Sequence, residues 1–333
     1  MQFTKILGID ISKKTFDVAL SENKVNSKMT NNQFDNNLKG FQSLLKWLKT
    51  EKINLDELLI CMENTGVYHR CLVVYLQSKQ VFTWVETPVE IKWSMGLQRG
   101  KNDAADARMI ALYAFRNQDK SKNYNALDKS LQKIADLMAT RERLIKARKL
   151  LLVPVKEMTR SGLKEEAKVM ERACSKSVSA LEKEIKAIEI QLETVIESES
   201  ELSENYQIVR SVRCVGLVCA LHLMVYTHNF TRFDNAKQIA SYCGIAPFEY
   251  SSGTSVRGRT KVHKMANKTL KTSLHMCSVS SVRHNPEMKQ YMERKVAEGK
   301  NKMLILNAIR NKILQRVFAC VKAKRLYEFK NAA

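Results

Sequence analysis

No apolar run in the 333 residues approaches the roughly 20 needed to span a bilayer, and the start, MQFTKILGID, lacks the apolar stretch and small-residue cleavage site of a secretory signal. A membrane protein or a secreted one is therefore not expected. The eight cysteines, at 61, 71, 174, 214, 219, 243, 277 and 320, never fall in a CxxC pair and sit mostly among apolar neighbours. That spacing excludes a zinc ribbon and offers no disulfide framework; it suits small buried side chains in a reducing compartment. Acidic residues are scarce relative to basic ones, with 34 Asp and Glu against 56 Lys and Arg.

What is present is positive charge, unevenly spread. The net charge is +22 overall, and residues 251–333 contribute 19 Lys and Arg against 4 Asp and Glu, so the last quarter carries most of the excess. A field of that kind favours polyanions, and a soluble nucleic-acid-binding protein of the cytoplasm, associated with the nucleoid, is the expected class. The length predicts two or three domains with real cores.

Patterning divides the chain into three: 1–122, 123–205 and 206–333. In the first, KILGIDI and TFDVAL read as a strand pair joined by a polar SKK turn, with a third strand around SKMTN. Leu38, Phe41, Leu44, Leu45 and Leu48 follow at helical spacing. LLICMEN then reads as a buried strand, TGVYHRCLVVYLQSK as a helix, VFTWVET as a strand and 103–116 as a helix. This β-β-β-α-β-α-β-α order predicts an α/β domain of RNase H-like (RuvC-like) type. The second part is nearly free of glycine. Leu131, Met138, Ile145 and Leu152 recur every seven residues, and Val178, Leu181, Ile185, Ile188, Leu192 and Val195 alternate steps of three and four. A helical coiled-coil hairpin is expected, broken around Pro154 and Ser161-Gly162, with its seam packed internally or on another copy of the chain. The third part predicts a mostly α-helical domain, with a Gly/Ser turn in EYSSGTSVRG and a basic final helix.

Four carboxylates stand out. Asp10 interrupts the apolar first strand, and Glu63 closes LLICMEN. Burying a lone carboxylate is costly unless a cation or hydrogen bonds compensate it. Asp103 and Asp106, in NDAADAR, lie three apart, which on a helix places their Cβ atoms about 5–6 Å from each other. If strands one and four are neighbours, all four converge as an oxygen-only ligand set for Mg²⁺ or Mn²⁺. The same pair of aspartates would also complement a helix N-terminus, so the residue types alone leave both roles open.

ILGIDISKKTFDVAL, MENTGVYHR and KNDAADARMIA resemble the N-terminal domain of DEDD transposases of the insertion sequence 110 family, relatives of the Piv-type DNA invertases. The likeness continues in VRCVGLVCALHLM, FDNAKQIASYCGIAPFEYSSGTSVRG and KMANKTLKTSLH, and so covers nearly the whole chain. It implies a DNA transposase-recombinase whose acidic motif falls on Asp10, Glu63, Asp103 and Asp106. It further implies Ser252 as a nucleophile, with Ser251 the adjacent alternative, and an element-encoded guide RNA that pairs with donor and target DNA. The working unit it implies is a homodimer or homotetramer in which one subunit's carboxylates meet another's serine. Arg257, Arg259, Lys261 and Lys264 could neutralise a phosphate beside that serine. Thr254 and Met265-Ala266-Asn267 depart from the family pattern without removing a reactive group. Arg213-Cys214-Val215-Gly216-Leu217-Val218 suits either a helix-hairpin-helix phosphate clamp or a packed helix start, and Tyr242, Phe248 and Tyr250 either base stacking or core. A RuvC-type resolvase using water as nucleophile, and a non-enzymatic nucleic-acid scaffold, are the alternative functions.

Overall fold

A computed structural model describes residues 3–95, 103–252, 256–262 and 266–328. The chain forms two compact units, 1–126 and 127–333.

In the first unit, Lys5–Ile11 (β1), Thr15–Glu22 (β2), Thr30–Asp35 (β3), Leu58–Glu63 (β4) and Thr83–Glu86 (β5) make one sheet in the order β3-β2-β1-β4-β5. The first three strands are antiparallel neighbours, while β1, β4 and β5 run parallel. That mixed order is the RNase H-like topology the sequence pattern anticipates, with β3 a few residues later than SKMTN. Helices cover both faces, as a parallel centre requires. Leu38–Thr50 (α1) and Arg70–Ser78 (α2) bury Phe41, Leu44, Leu48, Leu72 and Leu76 against Leu7, Ile9, Phe16, Ile60 and Met62. Leu38, counted in the apolar stripe by its spacing, stays exposed at the first turn. The stretch 65–79 is helical only from Arg70 to Ser78, because Gly66 to His69 form turns that carry the chain off β4. Pro88–Met95 (α3), which the strand-helix pattern did not anticipate, precedes Asp103–Arg116 (α4).

The opposite face is what positions the carboxylates. There α4 lays Ala107, Ile110, Ala111 and Ala114 on Ile6, Ala19, Leu59, Cys61 and Trp84. Small residues let helix and sheet approach closely, and Gly8 is the tightest point. A Cβ on Gly8 would lie 2.3 Å from both the Ala107 carbonyl oxygen and the Ala111 amide nitrogen, two backbone atoms that cannot swing aside.

The second unit opens with Lys129–Arg160 (α5) and Lys164–Glu197 (α6), an antiparallel helical hairpin. Arg141 donates through Nε and Nη2 to Glu189 Oε1 at 2.8 and 2.7 Å, and Arg148 reaches Glu182 at 3.2 Å. The turn lies at Ser161 to Leu163, where Gly162 adopts φ +88°. Pro154, expected in the break, sits inside α5; the carbonyl it leaves without an amide belongs to exposed Leu150, where water can satisfy it. Only the proximal half of the hairpin joins a core, with Leu131, Ile134, Met138, Ile188, Leu192 and Val195 against Leu221, Met224 and Val225.

Ser200–Ser211 (α7), Leu217–Tyr226 (α8), Ala236–Tyr242 (α9), Lys268–His284 (α10), Pro286–Ala297 (α11) and Lys302–Lys322 (α12) complete the unit together with a hairpin of Pro247–Ser252 (β6) and Val256–Val262 (β7). Within EYSSGTSVRG, EYSS and VRG are thus strand, and the Gly253-Thr254-Ser255 of the expected turn lies outside the described residues. The basic final helix is present as α12, and it is central to the core through Ile305, Ile309, Ile313, Leu314 and Val317. Its cations serve packing. Lys312 lies 4.9 Å over the Tyr291 ring, Arg316 pairs with Glu287, and buried Arg310 donates to His275 Nδ1 at 2.8 Å. Five cysteines are buried as anticipated, whereas Cys71 is exposed.

Gly8→Ala is expected to force α4 off the sheet. Chemical denaturation should show a loss of about 1–3 kcal/mol, the usual cost of overpacking, and the variant should lose divalent-cation binding more than its residual stability explains.

Candidate active site

Side chains alternate across a strand, so Ile6, Gly8 and Asp10 share the α4-facing side of β1. Asp10 is therefore the next position beyond the glycine on which the helix rests. Asp103 and Asp106 occupy the first turn of α4, on the side that meets the sheet through Ala107 and Ile110. The result is a cluster: one carboxylate oxygen from each of Asp10, Asp103 and Asp106 lies within 4.8 Å of the others.

Glu63 is placed by register. Ile9 pairs with Met62 in the parallel ladder, so Glu63 stands beside Asp10 on the next strand, on the same side as Leu59 and Cys61. It falls outside the 4.8 Å group but is near enough to act on Asp10 electrostatically. A fifth acid, Asp17, faces Asp10 directly across the β1–β2 pair and is only 9% exposed. Sequence reasoning passed over it. Half of its signal was available: in TFDVAL it is the one charge among mostly apolar residues, but its register opposite Asp10 emerges only in the paired strands.

These charges show in Asp10, whose carboxyl is pushed up from 3.8 to about 6. Burial is the largest cause, followed by the charges of Asp106, Asp103, Glu63 and Asp17. Crowded oxygen donors of like charge fit a hard divalent cation, and the first turn of α4 adds only a modest favourable dipole of its own.

The other sequence-derived candidates lie in the second unit. Ser252 is the last residue of β6, paired with Val256, and Ser251 pairs with Arg257. Arg259 and Lys261 lie along β7, while Lys264 falls outside the described residues, as do Gly253, Thr254 and Met265. The RCVGLV segment forms the α7–α8 turn. Val215 is buried there, its carbonyl accepting from Arg210 Nη1 at 3.0 Å, and so the turn is packed. Tyr242 is likewise engaged within the fold, bonded through its hydroxyl to Asn267 and covered by the Arg232 guanidinium at 4.9 Å.

Residues 7–158 match the IS110-type DEDD family profile described as "Transposase", and residues 206–293 match the "Transposase IS116/IS110/IS902 family". The chain belongs to the IS110 family of transposases. Its reaction class is accordingly DNA recombination. Among similar proteins, the pilin gene-inverting proteins of Moraxella bovis and Moraxella lacunata are each 27% identical over 97% of both chains. An IS110 insertion element protein of 43.6 kDa from Streptomyces coelicolor is 28% identical over 46% of this chain and 36% of its own length. Among solved structures, T. thermophilus RuvC in complex with a Holliday junction substrate aligns with 36% of this chain and 99% of its own, at 11% identity and a TM-score of 0.29. The RNase H-like assignment rests on the strand order itself. No helix among the described residues is long and apolar enough to cross a membrane.

Because folding raises the Asp10 pKa, the metal-free native state binds its proton more tightly than the unfolded chain does between pH 3.8 and about 6. The ionised group therefore opposes folding above pH 6, and that opposition is relieved as pH falls. Thermal melts of metal-free protein should show Asp10→Asn more stable than wild type at pH 7.5, with the difference closing by about pH 4. A constant difference across that range would contradict the raised pKa of Asp10.

Proposed function

We propose that this transposase excises and inserts a mobile DNA element, using Asp10, Glu63, Asp103 and Asp106 to hold Mg²⁺ or Mn²⁺ and Ser252 as the nucleophile. The observation that supports the metal role is the meeting of Asp10, Asp103 and Asp106 within 4.8 Å, in a chain whose family is named for its acidic tetrad. A bound divalent cation would supply charge stabilisation at the phosphodiester and assist an oxygen nucleophile. The protein's own part is positional. The β1 backbone fixes Asp10, the first turn of α4 fixes Asp103 and Asp106, and Glu63 approaches from β4.

In the strand-breaking step, the Ser252 oxygen bonds to phosphorus as a phosphorus–oxygen bond to the sugar breaks. The serine proton leaves to solvent or a base, and the departing sugar oxygen is protonated. The phosphoserine ester retains the energy needed to rejoin the strand to a different hydroxyl. Arg257, Arg259, Lys261 and Lys264 neutralise the phosphate. An element-encoded RNA pairs with donor and target DNA, so that base pairing supplies sequence specificity and the protein supplies charge and chemistry.

The 123–205 segment serves self-association as a coiled-coil domain, between the 1–122 catalytic and 206–333 basic domains, and the working unit is a homodimer or homotetramer. Supporting this, the distal half of the α5–α6 hairpin leaves Leu150 77%, Val153 45% and Val169 66% exposed, while only Val155 and Ala167 are buried there. Apolar side chains left uncovered on a long hairpin are available to the apolar face of a partner helix.

The test combines Mg²⁺, donor DNA and RNA transcribed from the flanks of the gene, and seeks a covalent protein–DNA adduct. The adduct is expected to map to Ser252 and to vanish in Ser252→Ala and in Asp10→Asn. Mixing the two inactive variants should restore it, since each assembly then holds an intact serine and intact carboxylates on different subunits. Cleavage that persists without an adduct in Ser252→Ala would instead make water the nucleophile. Binding with no cleavage, unchanged in Asp10→Asn, would leave only a scaffold.

A further inference from the structure

The fifth carboxylate has no part in the chemistry described so far. Asp17 sits in the middle of β2 with Phe16 and Val18 buried on one side of the sheet and Ala19 on the other, and it is itself only 9% exposed. Its Cα partners are Asp10 on β1 and Gln33 on β3, so Asp10, Asp17 and Gln33 form a row across three adjacent strands. Directly opposed residues of an antiparallel pair project to the same face, with Cβ atoms about 4.5–5.5 Å apart. Asp17 thus adds negative charge beside Asp10, and it is one of the four acids that push the Asp10 carboxyl up. A residue placed only to fill the sheet would have been apolar, as its neighbours are. The Gln33 amide donates to Asp17 Oδ2 at 3.0 Å, which orients the carboxylate and engages one of its two oxygens.

Asp17 stands outside the group whose oxygens approach within 4.8 Å, and Gln33 already engages its Oδ2, which suits it to accept from an ion's waters rather than to bind the ion itself. Mg²⁺ keeps near-octahedral geometry and retains several waters, and those waters need acceptors. Outer acceptors of this kind orient the inner ligands and typically alter metal affinity 10–100-fold.

We propose that Asp17, oriented by Gln33, is a positioning residue that accepts hydrogen bonds from water ligands of the divalent cation held by Asp10, Asp103 and Asp106. The proposal rests on the reading of that cluster as a divalent-cation site. It adds a third layer to the site, running from α4 through β1 to the β2–β3 edge of the sheet.

The experiment uses the full chain as wild type, Asp17→Asn, Gln33→Leu and Asp10→Asn. Mn²⁺ affinity is read by electron paramagnetic resonance of the free ion, and melting temperature is followed without metal and against Mg²⁺ concentration. Asp17→Asn should bind Mn²⁺ about tenfold more weakly, with Gln33→Leu shifted in the same direction by less. The rise in melting temperature with Mg²⁺ should shrink in both. The metal-free melting temperature of Asp17→Asn should not fall, because a repelling charge has been removed; a purely structural role predicts that it does fall while the Mg²⁺ response stays intact. Wild-type Mn²⁺ affinity in Asp17→Asn, with weakened binding in Asp10→Asn, overturns the role of Asp17 alone. Equal affinity in wild type and Asp10→Asn overturns the cation site itself.

Discussion

Like-charge repulsion among carboxylates that the backbone will not let separate is the constraint from which the rest of the first unit follows. Asp10 is tied into β1 between two paired strands, and Asp103 and Asp106 are tied to α4, which is seated on Gly8 by backbone contact. The packing of Ala107, Ile110, Ala111 and Ala114 on the sheet supplies the apolar burial that holds the acids together. In effect the fold stabilises an arrangement that its own electrostatics oppose, and a divalent cation is the natural counterweight. Local strain or repulsion offset by the surrounding scaffold is a familiar property of functional sites.

The second unit shows why formal charge overstates the surface available to nucleic acid. Its terminal helix carries cations in sequence, yet Arg310 is buried against His275, Lys312 and Arg316 lie over tyrosine rings, and just beyond the helix Lys324 reaches Glu204 at 3.2 Å. Guanidinium and ammonium groups used this way contribute packing through their stems and ring contacts. The basic residues closer to the chemistry proposed here are those of the β6–β7 hairpin, whose strands carry Ser252 at one end of the register and Arg257 opposite Ser251. Asn307 steadies the approach to that hairpin by donating to the Ile245 carbonyl at 2.8 Å.

Much of the first unit was legible because its signals are local and redundant. Apolar runs of strand length, the helical spacing of Phe41, Leu44 and Leu48, and the i, i+3 pair Asp103/Asp106 all survive into the fold. Asp10 and Glu63 were visible as charges where burial penalises charge. What stayed hidden depends on pairing or on distant packing. Asp17 becomes significant only once β2 is in register with Asp10 and Gln33, which no single segment encodes. Pro154 could remain in a helix because an exposed turn tolerates the lost hydrogen bond, and the true break was set by Gly162 in the left-handed region. The last helix was legible as helical and basic, but its place at the centre of the core depends on packing by distant segments.

The most direct test is a crystal of the chain grown with Mn²⁺ and measured at a wavelength where manganese scatters anomalously. The account predicts an anomalous peak within coordination distance of the carboxylates of Asp10, Asp103 and Asp106, absent from Asp10→Asn crystals grown the same way. Manganese bound elsewhere with those three side chains turned apart, or an equal peak in the variant, would contradict it.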